Sequence, residues 1–237
     1  MGLLVQRQFS VATDDRAEFE RQSRLGVWEN MRYNGAQMIG FGNWAFGDTG
    51  DVVVTNSAYA NFDHWTATRQ WGAFATEQAR IEETGAIRSI FAGRQRLVRS
   101  SLASMVVFDD ELSSPEVGWR NVGEPLAPVP SSFGRQSVIE ELRCGLGELE
   151  AETFDAISRD VLWPNALEHG GRLLIVGHDA LLPPPNRVVM VAYPTISAWY
   201  AATEAGGEPA VAMARRAART TSYVEKLLMV TTAYGAS

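Results

Sequence analysis

The stretch Trp28-Glu29-Asn30-Met31-Arg32-Tyr33-Asn34-Gly35 returns later in the chain as Trp163-Pro164-Asn165-Ala166-Leu167-Glu168-His169-Gly170. Tryptophan, asparagine and glycine recur at a constant spacing of 135 residues, which also carries Phe19 to Phe154 and Gly42 to Gly177. Further on, Ala58-Tyr59 and Trp65 answer Ala192-Tyr193 and Trp199 at a spacing of 134. An ordered series of this kind is the signature of an internal repeat. The one-residue change falls where a hairpin loop absorbs it; inside a strand it would turn every side chain to the other face. The chain therefore reads as two copies of one unit, residues 1–112 and 133–237. Between them, 113–132 carries Pro115, Pro125, Pro128 and Pro130 with little periodicity, the mark of an extended linker.

Each copy reads β-α-β-β-α-β. Residues 4–11 and 138–144 have strand patterns, and 14–33 and 148–169 carry apolar residues at helical spacing. Asp14 or Asp15 stands where the first helix needs an N-cap, and Gly35 and Gly170 stand where a helix ends in the left-handed conformation. Strands over 38–46 and 172–182 close on the turn residues Gly47-Asp48-Thr49-Gly50 and Pro183-Pro184-Pro185-Asn186. Valine-rich strands follow at 51–59 and 188–193. A second helix begins at Phe62 in one copy, with a break at Gly72 or Gly85, and at Ile196 in the other, with a break at Gly206-Gly207. Residues 96–108 and 223–234 supply the last strands, and the 134–135 spacing is expected to hold throughout.

A formal charge of −7 and a pI near 5.1 leave no basic face for phosphates, since Arg94-Gln95-Arg96 and Arg215-Arg216 are only short runs. Nucleic acid is not an expected partner. No apolar stretch reaches the ~20 residues that cross a bilayer, and the N-terminus lacks a signal-peptide layout, so no membrane association and a cytoplasmic location are expected. The single cysteine, Cys144, cannot form an internal disulfide and sits where a strand buries an inert thiol.

Ile139-Glu140-Glu141-Leu142-Arg143 resembles the first-strand Glu-Leu-Arg signature of the NIPSNAP family, within the dimeric α+β barrel superfamily. Val52-Val53-Val54 through Tyr59 to Arg69 is similar to that family's third strand, aromatic residue and downstream arginine. In the first copy Gln6-Arg7-Gln8 replaces Glu-Leu-Arg, and Thr203-Glu204 stands near the arginine expected in the second. The resemblance implies an α+β fold of tandem ferredoxin-like repeats whose antiparallel sheets pair into an α+β barrel. A four-stranded sheet covered by helices on one face leaves the other bare, and a unit of ~100 residues cannot leave that much apolar surface in water. In such relatives another chain supplies the second sheet; here the fused copy does. A homodimer in addition to this intramolecular pairing is compatible with the reading.

The sequence holds no Walker loop, dinucleotide fingerprint, His-Glu-x-x-His or Cys-x-x-Cys, and three histidines spread over two copies are too few for a zinc or iron site. No metal and no organic cofactor are expected. Gly40-Phe41-Gly42 lies within a strand pattern and marks a bulge or a close backbone approach. His178, aligned with Asn43, is the first acid/base candidate; that role requires its imidazole to face a cavity, with Asp179 on the opposite strand face. His64 beside Asp63 is the second, as a base oriented by a carboxylate or as an exposed helix-start pair. His169, aligned with Asn34 beside a helix-ending glycine, is read as a cap.

Aromatics shared by both copies, Trp28/Trp163, Tyr59/Tyr193 and Trp65/Trp199, read as core. Positions that differ are the better substrate-binding candidates: Asn43, Trp44 and Asn56, with Trp71 as a further pocket wall. Glu141 and Arg143 stand at i and i+2 on one strand face, where they bind a substrate carboxylate or form a structural ion pair inside the barrel.

These features, with the resemblance, imply an enzyme acting on an apolar or aromatic small molecule by general acid/base chemistry: cyclisation, isomerisation or cofactor-independent oxidation, in secondary metabolism. The alternative is a non-catalytic NIPSNAP-like binding or scaffold protein. A further alternative is a haem-binding tandem barrel using His169 or His178.

Overall fold

In a computed structural model of the chain, residues 2–28, 31, 35–46, 51–68, 89–109, 111–113 and 134–232 are described. Trp71, Asn34, Arg69, the turn at 47–50 and all of the linker except Ser113 lie outside these residues.

The first copy supplies strands β1 (Gly2–Val11), β2 (Gln37–Trp44), β3 (Val52–Tyr59) and β4 (Val98–Phe108). The second supplies β5 (Val138–Leu146), β6 (Arg172–Asp179), β7 (Asn186–Tyr193) and β8 (Thr220–Thr232). They close into one barrel in the order β1-β3-β2-β8-β5-β7-β6-β4. Each copy thus keeps the ferredoxin-like order 4-1-3-2, and every pairing is antiparallel. The two sheets join edge to edge, β2 to β8 and β4 to β6, which leaves neither sheet an open edge.

The glycine pair Gly42/Gly177 sits on these two seams. A Cβ on Gly42 would lie 2.0 Å from the Met229 carbonyl oxygen, and one on Gly177 would lie 2.4 Å from that of Val107. Only glycine lets the neighbouring backbone approach so closely. Phe41/Gly42 is also a register irregularity of the β2–β8 pair, so a bulge and a close approach coincide there.

Strand alternation divides the apolar side chains between two layers. Leu4, Val54, Val106, Ile139, Met190 and Leu228 point inward and form one core shared by both copies. Phe9, Val11, Phe41 and Val53 of one copy, and Val138, Leu142, Cys144 and Leu146 of the other, point outward under helices. Helix α1 (Arg16–Gln22) and α2 (Phe62–Thr68) belong to the first copy. Helices α3 (Ala151–Ile157), α4 (Trp163–Glu168), α5 (Ile196–Thr203) and α6 (Glu208–Ala217) belong to the second. Both α1 and α3 widen into a π-helical turn, Ser23–Trp28 and Ser158–Leu162. At each, the leading serine donates its hydroxyl back to the Phe19 or Phe154 carbonyl, at 2.7 and 2.8 Å. Gly35 and Gly170 take φ of 76° and 78° beyond these helices, as left-handed C-caps require. Gly207, at φ 69°, separates α5 from α6.

Asp15 stands at the N-cap of α1, without a side-chain capping hydrogen bond, at the end of a 3-10 turn, Thr13–Asp15, that leads into the helix. One local expectation is corrected: the repeat spacing does not hold to the end. Val11 and Leu146, 135 apart, pair with Val98 and Thr220, which are 122 apart. Between the third and fourth strands the first copy is therefore twelve residues longer than the second. No helix among the described residues is long and apolar enough to cross a membrane.

Candidate functional site

Inside the barrel, beyond the apolar core, the inward positions turn polar. Gln6, equivalent to Glu141, donates through Nε2 both to Glu141 Oε2 and to Asn56 Oδ1, the latter at 3.1 Å. Arg143 donates through Nε to Glu141 Oε1 at 2.5 Å, through Nη1 to Asp179 Oδ2 at 2.6 Å and through Nη2 to Ser104 Oγ at 3.0 Å. Gln6, Asn56 and Ser104 come from the first copy, and Glu141, Arg143 and Asp179 from the second. The network thus stitches the copies together across the barrel axis. Asn56 Nδ2 is the buried donor in it without a hydrogen-bond partner among the described residues.

The barrel mouth beyond is a depression of about 310 Å³ reached by Gln8, Ser222, Val224 and Lys226. Trp44 borders it, donating Nε1 to Gln8 Oε1 at 3.2 Å with Lys226 Nζ 4.8 Å from its ring centroid. Glu141 and Arg143 form an ion pair inside the barrel and both also line this depression.

A second kind of space lies outside the barrel, between each sheet and its helices. In the first copy it is a cavity of about 120 Å³ walled by Trp28, Met31, Tyr59, Trp65, Arg7 and Arg94. The Tyr59 hydroxyl donates to Ser57 Oγ at 3.3 Å, and Ser57 also lines this cavity. Arg94 is 4% exposed; its Nε donates to Ser23 Oγ at 2.6 Å, and its guanidinium lies 4.1 Å from the Phe19 ring centroid and 4.5 Å from that of Phe9. Burial, with Arg7 beside it, brings the Arg94 guanidinium down to about 9.

The corresponding cavity of the second copy is about 50 Å³ and is walled by Trp163, Tyr193, Leu142, Met213, Glu140 and Arg216. Burial, with Glu225 beside it, pushes the Glu140 carboxyl up to about 7.

The sequence candidates distribute unevenly over these places. Asn56, Trp44, Glu141 and Arg143 do gather in the barrel interior, and Asp179, expected on the face away from the site, points inward with them. Asn43 does not join them, because it points out of the barrel toward α1 and accepts from Arg16 Nη2 at 2.5 Å. His178 is a correction: it is exposed on the outer face of the β4–β6 seam, opposite Val107, and lines none of the three cavities above among the described residues, so the condition for its acid/base role is not met. Strand alternation that sends Asp179 inward sends His178 out. His64 accepts the Ala60 backbone amide on Nδ1 at 3.0 Å and stands edge-on to Tyr59, while Asp63 is exposed on the first turn of α2. A ring nitrogen so engaged closes the β3–α2 turn. His169 Nδ1 lies 2.9 Å from the Asn165 carbonyl oxygen, closing the end of α4.

The histidines do not fit a haem. His178 faces outward, and Nδ1 of His169 is held at a helix end. Among the described residues no group of three His, Cys, Asp or Glu side chains could hold a metal ion. Cys144 is buried, and burial pushes its thiol up to about 11.

The sequence reading missed Arg7 and Arg94 as cavity residues and took Trp28, Tyr59 and Trp65 for core alone. Arg7 was signalled by its place in the motif, where the second copy has Leu142.

The closed barrel of two ferredoxin-like sheets with helices outside is the dimeric α+β barrel fold, here within one chain. No protein-family model and no curated protein matches the sequence. Among solved structures, a monooxygenase-like protein from Lactobacillus acidophilus NCFM aligns over 98% of this chain and 94% of its own, at 10% identity and a TM-score of 0.61. An anthrone oxidase-like protein aligns over 98% and 92%, at 9% identity and a TM-score of 0.57. A NIPSNAP family protein from Agrobacterium tumefaciens aligns over 46% of this chain and 95% of its own, at 19% identity and a TM-score of 0.37.

Proposed function

We propose that the chain is a small-molecule enzyme whose reaction site is the helix-covered cavity of the first copy, acting on an apolar or aromatic compound by proton transfer without a resident metal or organic cofactor. One observation carries the reading: this cavity joins indole walls, Trp28 and Trp65, to a buried phenol, Tyr59, hydrogen-bonded to Ser57. Aromatic walls orient a flat apolar substrate, and a positioned tyrosine hydroxyl can deliver or accept a proton at its polar edge. The folds named for oxidases and monooxygenases are consistent with such chemistry, by analogy of fold alone.

The test is product formation from a panel of one- and two-ring phenols and enolisable ketones incubated in air with purified protein. Turnover is expected, and Tyr59→Phe is expected to lower it by ~10²–10⁴ with the unfolding midpoint nearly unchanged. A Tyr59→Phe variant with full turnover overturns the assignment of the site. Saturable binding with no turnover across the panel transfers the reading to a non-catalytic binding protein. A Soret band or one equivalent of iron in the purified protein overturns the cofactor-free part.

A further inference from the structure

The polar end of the barrel is built from equivalent positions of the two copies, and its two halves are charged differently. Gln6, Gln8 and Trp44 of the first copy correspond to Glu141, Arg143 and Asp179 of the second, each pair 135 apart. Ser104 corresponds to Lys226, since Ser104 pairs with Gln6 as Lys226 pairs with Glu141.

One half is closed on itself. Arg143 donates to Glu141 at 2.5 Å, to Asp179 at 2.6 Å and to Ser104 at 3.0 Å, so its cation stands against two carboxylates. In the other half Gln6 and Trp44 occupy the carboxylate positions, Gln8 occupies that of the arginine, and Lys226 adds a cation where its counterpart is a serine. Lys226 Nζ lies 4.8 Å from the Trp44 ring centroid. It forms no ion pair among the described residues, although Glu141 is its cross-strand neighbour. Glu141 directs its oxygens to Arg143 and Gln6 instead.

The hydrogen-bond inventory of the mouth has the same bias. An indole N–H only donates, so Gln8 turns Oε1 to Trp44, at 3.2 Å, and Nε2 away from it. Ser104 Oγ accepts from Arg143, and Ser222 Oγ accepts from the Gly145 amide at 2.9 Å, which leaves each hydroxyl hydrogen to be donated. Gln8 Nε2, the two hydroxyls and the Lys226 ammonium have no acceptor among the described residues, and none of these four residues interacts with a group outside them. All four line the same depression of about 310 Å³, within the ~300–1,000 Å³ of ordinary ligand pockets. Val224 and Leu182, 49% and 53% exposed, supply apolar wall beside them.

We propose that this depression binds a small aliphatic acid, its carboxylate held by Lys226 with Gln8 Nε2 and the two serine hydroxyls as donors, and its apolar part against Val224 and Leu182. A carboxylate brings acceptors only, the complement of a wall of donors, and an ammonium without an ion pair favours an anion. The site lies inside the barrel, on the opposite face of the sheet from the helix-covered cavity of the first copy, and does not depend on the reaction placed there.

Calorimetric titration at neutral pH compares hexanoate with its neutral isostere hexanamide and with the hexylammonium ion. Hexanoate is expected to bind at least about fivefold more tightly than hexanamide, and hexylammonium more weakly than either. Lys226→Met, at an exposed position, is expected to abolish the preference for the acid, and Lys226→Arg to keep it. Ser222→Asp puts a carboxylate in the depression and is expected to weaken hexanoate at least about fivefold while hexanamide stays within about twofold. Ser222→Asn, its neutral control, is expected to leave both within about twofold. No saturable binding of hexanoate, equal binding of acid and amide, or tighter binding of hexylammonium overturns the proposal. A preference for the acid that survives Lys226→Met, or is undiminished by Ser222→Asp, overturns it as well, since the acid would then be held elsewhere.

Discussion

Gln6 and Glu141 occupy the same position in the two copies, 135 residues apart, and their side chains meet inside the barrel, the Gln6 amide donating to the Glu141 carboxylate. A strict two-fold pair of the motif would set two carboxylates against each other there. The amide removes one charge and supplies the donor, and it leaves Arg143 to balance Glu141 and Asp179. Gln6→Glu is therefore expected to destabilise the fold by roughly 2–4 kcal/mol at pH 8. Two facing carboxylates share a proton, so one has a raised folded-state pKa, and the loss should shrink as pH falls toward 5. Urea unfolding at both pH values measures this; an equal loss at each would refute like-charge repulsion as the cause.

Arg143 is the only cation within hydrogen-bond reach of both Glu141 and Asp179 among the described residues. Arg143→Met should cost about 3–5 kcal/mol, because it leaves two buried carboxylates without their partner. Lys226→Met at the open mouth removes an exposed ammonium over Trp44 and should cost no more than about 1 kcal/mol. Chemical denaturation of the two variants gives the ratio. Comparable losses would place the network's contribution elsewhere.

The seam glycines separate two substitutions of identical chemistry. Gly42→Ala puts a methyl 2.0 Å from a backbone oxygen that cannot move without opening the β2–β8 joint, and at least about 2 kcal/mol should be lost. Gly40→Ala, two residues away, meets only side-chain carbons at 3.7 and 3.8 Å and should lie within about 1 kcal/mol of the parent. Thermal unfolding distinguishes them, and similar midpoints would refute the close approach.

Glu140 should make stability depend on pH. A carboxyl raised from 4.5 to about 7 on folding binds its proton more tightly in the native state. Its contribution is therefore fully present below about 4.5 and is lost as pH rises through about 7. Glu140→Gln is expected to be more stable than the parent by on the order of 1–3 kcal/mol at pH 8 and equal to it near pH 4.5. A stability difference that does not vary between these pH values would contradict the raised pKa.

How much of this was legible beforehand depends on whether the signal was local. Gly35 and Gly170 announced helix ends because the left-handed conformation is a property of one residue. The face shared by Glu141 and Arg143 followed from the two-residue period of a strand. His178 shows the limit. The period placed it opposite to Asp179 but could not say which face was the cavity, since the seam between copies exposes the outer side of β6. The Ser104/Lys226 equivalence was hidden as well, because the twelve extra residues of the first copy shift Ser104 out of the spacing that reveals the repeat.

By itself the sequence determined that the chain is two copies of a β-α-β-β-α-β unit, and that each sheet must cover its bare face with another. Periodicity and the hydrophobic effect act on short stretches and need no partner to be read. Only the tertiary structure decided that Gln6 meets Glu141 across the axis, that Gly42 and Gly177 lie on the seams, and that Arg7 and Arg94 share a cavity in one copy while Glu140 and Arg216 share its counterpart. Those relations join residues far apart in the chain, and what brings them together is the closure of two sheets into one barrel, a constraint that no local pattern carries.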